Sequence, residues 1–455
     1  MELSVIILAA GKGTRMKSVL PKVMQPLAGK PLLAHVLATA QELQSSRTIV
    51  VYGHGGEVVQ KHFANQDNLA WALQAEQKGT GHAVQMALSQ LPETGKSLIL
   101  YGDVPLTTPE TLQKLLDLVV DNQKIALLTV NLANPTGYGR IVREAGLVQR
   151  IVEQKDASEQ EKQITEVNTG ILCVPNCHLH QWLPTLKNNN AQGEYYLTDV
   201  IALAVQQGLT VHTYQPQAAW EVEGINDKLQ LSTLERVYQR LQAENLMRAG
   251  ATIIDPARFD MRGTATLGMD VFFDANVLLE GDNHFGNGVK VGTNCVIKNC
   301  RIANGVEIRA NSVLEDAEIG QNAQIGPFAR IRPQSKLGAN VHIGNFVETK
   351  NTIMADGAKA NHLAYLGDSE VGERSNIGAG TITCNYDGAN KFKTIIGADA
   401  FIGSNSSLIA PVVIGDGATT GAGSAISKDV PTNHLAVARG IQRNIEGWNR
   451  PQKKK

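Results

Sequence analysis

The sequence predicts two dissimilar domains: an α/β domain with a mainly parallel sheet, then a solenoid of short parallel strands. Three observations carry this. Up to about residue 226, short apolar runs (Val5–Ala10, Thr48–Tyr52, Ser97–Tyr101, Ile125–Val130) alternate with helical spacing, as in Leu32–Leu43 and Thr111–Val120. That alternation implies a sheet covered by helices on both faces. After Gly250 the period becomes six, with apolar residues at Phe273, Leu279, Phe285, Val291 and Ile297. The same period recurs at Ile319, Ile325, Ile331, Leu337 and Ile343, and from Ile396 through Ile402, Leu408, Ile414 and Thr420 to Ile426. A short strand cannot bury one large side chain alone, so three hexads close a coil and the coils stack. Third, Leu231, Leu234, Val237 and Leu241 lie at helical intervals, which makes Asp227–Ala249 one connecting helix. The divisions are residues 1–226, a helical linker 227–250, a β-helix 251–437 and a tail 438–455.

Composition excludes several classes. The 455 residues carry 42 Lys+Arg against 43 Asp+Glu, a net charge of −1, which gives no broad footprint for nucleic acid or acidic membranes. Val5–Ala10 is too short to span a bilayer and has no basic flank of a signal peptide. The five cysteines, Cys173, Cys177, Cys295, Cys300 and Cys384, form no paired motif, which fits a reducing cytoplasm. Aromatic residues are only 5% of the chain, consistent with a solenoid interior too narrow for many rings.

Two features of the first domain point to phosphate chemistry. Its first strand runs into Leu8-Ala9-Ala10-Gly11-Lys12-Gly13-Thr14-Arg15-Met16, followed by Pro21-Lys22. Glycines after a strand let backbone N–H groups approach phosphate oxygens, and Arg15 and Lys22 supply cations. The run is neither GxGxxG nor a P-loop, and by itself is equally a structural turn. A second strand ends in Tyr101-Gly102-Asp103, at the sheet edge where α/β proteins bind ligands. One carboxylate together with substrate phosphates suits Mg²⁺, although such an aspartate also caps turns.

In the solenoid, Arg332 and Lys350 are 18 residues apart, each one position after an inward slot, so they stack on adjacent coils. An anion between them relieves that stacking; Arg330 and Glu348, also 18 apart, suggest a neutralised alternative. An insertion, Thr383–Asn390, lengthens one coil by seven residues. Corrected for it, Ala379, Ser404 and Ala422 form a column of small residues, a groove for a long thin ligand or simply a corner preference of the repeat. Arg439 lies beyond the final coil. His362 sits between cations and groove, suited to proton removal near neutral pH; a lone histidine is as readily structural.

These motifs resemble the sugar-1-phosphate nucleotidyltransferases. The resemblance rests on Leu8–Met16 with Pro21-Lys22, Gln74–Gln77 with Gly79–His82, and Tyr101–Asp103. Gly137–Arg140, Glu153 with Lys155, Asn168–Gly170 and Glu223–Asn226 extend it. Together with the hexads, the whole chain is similar to the bacterial bifunctional N-acetylglucosamine-1-phosphate uridyltransferase/glucosamine-1-phosphate acetyltransferase family. The resemblance implies a Rossmann-like α/β nucleotidyltransferase domain and a left-handed parallel β-helix, an exception to the right-handed crossover rule.

It further implies that Leu8, Ala9, Ala10, Gly11, Gln74, Gly79 and Thr80 hold the uridine nucleotide of UTP, with the catalytic Arg15 and Lys22 on phosphates and Tyr101 and Gly102 among the substrate-binding residues. Asp103 and Asn226 would hold Mg²⁺, and Gly139, Glu153 and Asn168 the sugar. In the second half, Arg332, Lys350, Tyr365 and Asn376 would hold glucosamine 1-phosphate. His362 would be the base, with Glu348 orienting it, and Ala379, Asn385, Tyr386, Ser404, Ala422 and Arg439 would line the acetyl-CoA site. Homotrimers with shared acetyl sites are the family's assembly, and the product, UDP-N-acetylglucosamine, feeds peptidoglycan and lipopolysaccharide synthesis. Cys384 sits in no basic triad, which favours direct acetyl transfer. Lys453-Lys454-Lys455 reads as a solvated tail or a contact for coenzyme phosphates. Two rivals remain at this point: a nucleotidyltransferase whose β-helix is scaffold, and a non-catalytic assembly subunit.

Overall fold

The computed structural model describes residues 1–455 except Lys12, His54, Asp67, Gln452, Lys454 and Lys455. Lys12 of the glycine-rich run and the last two lysines therefore lie outside the described residues. The chain divides into two compact units, Met1–Tyr238 and Gln239–Lys455.

The first unit is built on nine strands: β1 (Leu3–Ala9), β2 (Arg47–Gly53), β3 (Leu69–Gln74), β4 (Lys96–Tyr101), β5 (Lys124–Asn131), β6 (Arg140–Glu144), β7 (Leu147–Val152), β8 (Glu166–Pro175) and β9 (Thr210–Tyr214). The main sheet runs β9-β5-β8-β4-β1-β2-β3, with β6 and β7 as an attached hairpin. Val5, Ile6 and Ile7 of β1 are all fully buried, because cores lie on both faces of the sheet. The sheet is mainly parallel, as expected, with one reversed strand: β8 runs antiparallel to both β4 and β5. It follows the β6–β7 hairpin without a crossover helix, so the chain re-enters the sheet reversed.

One helix, Lys228–Arg248, carries the chain from the first unit into the second. Leu234 joins a core of the first unit, whereas Ala243 and Leu246 cover the start of the solenoid core.

The second unit is a parallel β-helix. One face stacks Gln324-Ile325, His342–Asn345, Lys359–His362, Asn376-Ile377, Phe401-Ile402 and Thr419-Thr420 in register. A second face carries Arg330-Ile331, Glu348-Thr349, Tyr365-Leu366 and Ile382-Thr383; the third carries Lys336-Leu337, Ile353-Met354 and Glu370-Val371. The hexad positions are the core: Ile297, Ile325, Ile331, Ile343, Ile402, Leu408 and Ile414 are each at most 1% exposed. Coil length varies more than a strict repeat. Arg330 pairs with Glu348 at a spacing of 18, but Glu348 pairs with Tyr365 at 17, and Asn376 pairs with Phe401 at 25 across the insertion. The interior also admits rings at its first coils, where Phe259, Phe273 and Phe285 pack with centroids 5.4 and 5.2 Å apart.

One corner departs from residue preference. Asn311, Phe328, Phe346, Leu363, Gly380, Asn405 and Gly423 all have positive φ. Asparagine and glycine suit that region, but bulky apolar residues rarely adopt it. Phe328, Phe346 and Leu363 are nonetheless 47%, 58% and 63% exposed, and the two rings stack 5.3 Å apart.

Candidate functional sites

In the first unit the C-terminal ends of β1 and β4 lie side by side: Leu8 is in register with Tyr101, and Gly102 N–H donates to the Leu8 carbonyl at 2.9 Å. At the end of β3, Gln74 is buried and its Nε2 donates to the Gly79 carbonyl at 3.0 Å. Gly79 sits at φ +108, where a Cβ would come within 2.6 Å of the Tyr195 carbonyl oxygen, so only glycine fits. These ends enclose a cavity of about 240 Å³ lined by Leu8, Ala9, Ala10, Gly11, Lys22, Gln74, Gly79, Thr80, Tyr101 and Asp103.

At its mouth four polar side chains converge. Lys22 Nζ pairs with Asp103 Oδ2 and donates to Asn226 Oδ1 at 3.1 Å, and Arg15 Nη2 donates to the same Asn226 oxygen at 2.9 Å. Two hard oxygens from Asp103 and Asn226 thus turn toward one positive group. The described residues hold no group of three or more His, Cys, Asp or Glu able to cage a metal. A carboxylate and an amide oxygen, completed by ligand phosphates, match what Mg²⁺ takes. The residues present fit that ion.

Gly139, Glu153 and Asn168 lie on the other side of Tyr101. Asn168 N–H donates to the Gly139 carbonyl at 2.8 Å, and the Thr198 hydroxyl donates to Glu153 Oε1 at 3.1 Å. Tyr101 also lines a small cavity with Asn168, Gly170 and Thr198, so it borders both pockets. Burial first, then Asp103 and Glu153, push its phenol well above the usual range. Burial likewise raises the Glu153 carboxyl, opposed by the Thr198 hydrogen bond and helped by Asp156, Asp199 and Glu194.

Gln77 and Glu194 also line the cavity, as do Val23 and Ala83, and all four lie outside the expected set. Gln77 was visible in the Gln74–Gln77 run, and its Nε2 donates to the Ala10 carbonyl, bracing the loop. Glu194 has no sequence signal. Its strand-like neighbour Tyr195 is tied to Lys78 and Gly81 by backbone hydrogen bonds of 2.8 Å.

In the β-helix the small-residue column is present. Asn345 and His362 are in register, Gly380 N–H donates to the His362 carbonyl, Asn405 N–H to the Ala379 carbonyl, and Gly423 N–H to the Ser404 carbonyl. His362 therefore belongs to the column of Ala379, Ser404 and Ala422, one coil above Ala379, rather than lying between the groove and the cations. At the far end Arg439 Nη1 donates to the Ala422 carbonyl at 2.8 Å. The insertion folds back as a hairpin through Tyr386 and Lys391. Asn385 is buried and donates to Asp368, whereas Tyr386 is 61% exposed.

Three expectations change here. Arg330 and Glu348 align by backbone register, yet the Glu348 carboxylate reaches the next side chain over and pairs with Arg332 at 2.6 Å. Arg332 and Lys350 are consequently not two unneutralised cations. With its carboxylate on Arg332, Glu348 does not orient His362, whose ring makes no hydrogen bond among the described residues. Finally, Asn376 is on the first face, while Tyr365 is on the second and Arg332 and Lys350 turn the corner to the third. The expected sugar-phosphate set does not come together on one face of one chain.

Residues 5–162 match the MobA-like NTP transferase domain, residues 261–344 the GMPPB C-terminal domain, and residues 393–428 the bacterial transferase hexapeptide (six repeats). The last match agrees with the left-handed parallel β-helix expected above. Over 455 residues the chain is 59% identical to "Bifunctional protein GlmU" of Acinetobacter baylyi, covering 100% of both chains. The protein of that name from Stutzerimonas stutzeri is 59% identical with the same coverage, and that from Nitrosospira multiformis 54% over 100% of this chain and 98% of its own.

Proposed function

Because the chain belongs to the GlmU family of bifunctional proteins, we propose that its two transferase activities are divided between the two units and use the residues described above. The enzyme acetylates glucosamine 1-phosphate from acetyl-CoA and transfers uridylyl from UTP to the N-acetylated product. The observation that carries the assignment of sites is the presence of two separate constellations, Arg15–Lys22–Asp103–Asn226 and the His362 column, one in each unit.

In uridyl transfer the sugar-phosphate oxygen attacks the α-phosphorus, the α–β bridging bond breaks, and pyrophosphate leaves with the electron pair. The nucleophile is already an anion, so no protein base is required; positioning and charge neutralisation do the work. Gln74 and Gly79 fix the base, Leu8–Gly11 the ribose, and Arg15 and Lys22 the phosphates. Asp103 and Asn226 would hold Mg²⁺, which would supply charge neutralisation. Glu153 and Asn168 accept and donate to sugar hydroxyls.

Glu153 should show the conflict between function and stability. Its raised pKa means the folded chain binds that proton more tightly than the unfolded chain does. Stability is therefore lost as pH rises from the ordinary glutamate range through the raised value. Glu153→Gln is expected to raise Tm by about 1–4 °C at pH 8, a gain that shrinks toward pH 4. The same variant should raise KM for N-acetylglucosamine 1-phosphate about tenfold or more. Melting curves at several pH values and pyrophosphate release check both.

In acetyl transfer His362 removes a proton from the acceptor ammonium, the neutral amine attacks the thioester carbonyl, the C–S bond breaks, and coenzyme A leaves as the thiolate, which takes up the second proton that the nitrogen gives up as the amide forms. The Ala379–Ser404–Ala422 column seats the pantetheine arm, Arg439 its phosphate end, and Ser404 or its N–H the oxyanion. Thiol release on mixing acetyl-CoA and glucosamine 1-phosphate without UTP tests this half; its absence, with pyrophosphate still formed from UTP and N-acetylglucosamine 1-phosphate, would reduce the β-helix to scaffold.

The active form is a homotrimer. The distribution of Asn376, Tyr365 and Arg332 over different faces supports a site shared between copies, and so does the apolar corner. Holding Phe328, Phe346 and Leu363 at positive φ costs about 1 kcal/mol each, and their exposure in one chain offsets none of it. Phe346→Asp is expected to convert trimer to monomer by light scattering and to lower thiol release about 100-fold while leaving pyrophosphate release within twofold. No helix among the described residues is long and apolar enough to cross a membrane. The five cysteines are all free, in keeping with a cytoplasmic enzyme.

A further inference from the structure

Gln74, at the end of β3, is buried, and both hydrogens of its side-chain amide are taken up inside the protein. Its Nε2 donates to the Gly79 carbonyl at 3.0 Å and to His82 Nδ1 at 3.2 Å. The first bond fixes which way the amide faces. A backbone carbonyl only accepts, so the amide nitrogen, and not its oxygen, must stand against Gly79. The second bond then defines the histidine. An amide nitrogen only donates, so His82 Nδ1 must offer a lone pair: the ring is neutral and carries its proton on Nε2. No hydrogen bond among the described residues ends on Gln74 Oε1, and Gln74 lines the cavity beside β1 and β4. That oxygen is left to whatever the cavity binds. His82 is not part of the cavity wall, so its effect there passes through Gln74.

The surroundings hold the ring in that state. His82 belongs to the helix Thr80–Ala87, and its ring lies 6.3 Å from that of Tyr195. The Tyr195 backbone is tied to Lys78 and Gly81 by hydrogen bonds of 2.8 Å. Burial, then the Lys78 ammonium, lower the His82 pKa, with the Glu76 carbonyl and carboxylate opposing. A protonated ring would set an N–H against the amide N–H group. An amide turned over to receive it would set its oxygen against the Gly79 carbonyl. Either arrangement is costly at a side chain this buried.

We infer that His82 is a positioning residue that sets the base specificity of uridyl transfer: by holding the second amide hydrogen of Gln74 it makes that side chain present an acceptor, which selects a base with a ring N–H over one with a ring lone pair. This rests on the reading above that Gln74 fixes the base. Uracil carries N3–H and pairs with Oε1, whereas cytosine brings the lone pair of N3, so that two acceptors meet. A Gln74 free to turn over would donate to cytosine N3 instead. The choice between the two pyrimidines therefore lies in the histidine behind the glutamine as much as in the glutamine itself.

The test uses full-length His82→Leu and His82→Asn, with pyrophosphate release from UTP or CTP and N-acetylglucosamine 1-phosphate as the readout. Leucine removes the acceptor, and asparagine returns one, its Oδ1 standing where Nδ1 stood. His82→Leu is expected to lower the ratio of kcat/KM for UTP over CTP about 10-fold, the loss of one buried hydrogen bond, through a higher KM for UTP and a lower one for CTP. His82→Asn should keep the ratio within about threefold of the parent. KM for N-acetylglucosamine 1-phosphate within twofold, and unchanged thiol release from acetyl-CoA, report that the chain is folded. A His82→Leu protein that slows both nucleotides alike, or a His82→Asn protein as relaxed as His82→Leu, overturns the proposal. Gln74→Leu, measured alongside, separates it from the reading beneath it. If Gln74→Leu leaves the ratio unchanged, Gln74 does not read the base and both fail. If the ratio collapses in Gln74→Leu but holds in His82→Leu, Gln74 reads the base unaided and only the role of His82 is refuted.

Discussion

Asp103→Ala is expected to lower pyrophosphate release by about 10³-fold or more, while thiol release from acetyl-CoA stays within twofold. The side chain ends β4 at the ligand-binding edge, and its Oδ2 is the partner of Lys22, which also holds Asn226. On the proposed reading, removing it takes away a hard oxygen that would hold the cation and frees the Lys22 ammonium to drift from the phosphates. Both losses act on charge that develops as pyrophosphate departs, so kcat should fall more than KM rises. Asp103→Asn keeps the shape and one oxygen; it should retain more activity than the alanine variant, and extra Mg²⁺ should restore part of it. Equal loss of both activities in a folded Asp103→Ala protein would refute two independent sites.

His362→Ala is the mirror experiment. A positioned general base contributes about 10²–10⁴-fold, so thiol release should fall within that range while uridyl transfer is retained. The fall should be smaller at high pH, where more of the acceptor amine is already neutral. A rate loss that is flat with pH would mean that His362 positions the acceptor rather than deprotonating it.

Much of this was legible in the sequence because both halves repeat a simple rule. An interior slot every six residues names the core directly, and Ile331, Ile343 and Ile402 are buried as that rule requires. Strand ends followed by glycine mark a ligand edge, which is where Leu8–Gly11 and Tyr101–Asp103 meet. What periodicity does not encode is the diagonal reach of long side chains. Glu348 is opposite Arg330 by backbone but chooses Arg332, because an arginine at the turn brings its guanidinium back across the coil. Spacing also says nothing of strand direction once a hairpin intervenes, hence the reversed β8. Glu194 enters the cavity beside β1 and β4 from a loop whose course depends on backbone hydrogen bonds to Lys78 and Gly81, contacts with no local signature.

The stacked corner that runs from His362 through Ala379 and Ser404 to Ala422 makes the β-helix a ruler. Each residue of that column comes from a different coil at the same rank, so distances along it exist only in whole steps of about 4.8 Å. Point substitutions can alter the grip at any mark without moving the others. The length between His362 and Ala422 is set by the number of coils, and can change only by gaining or losing one.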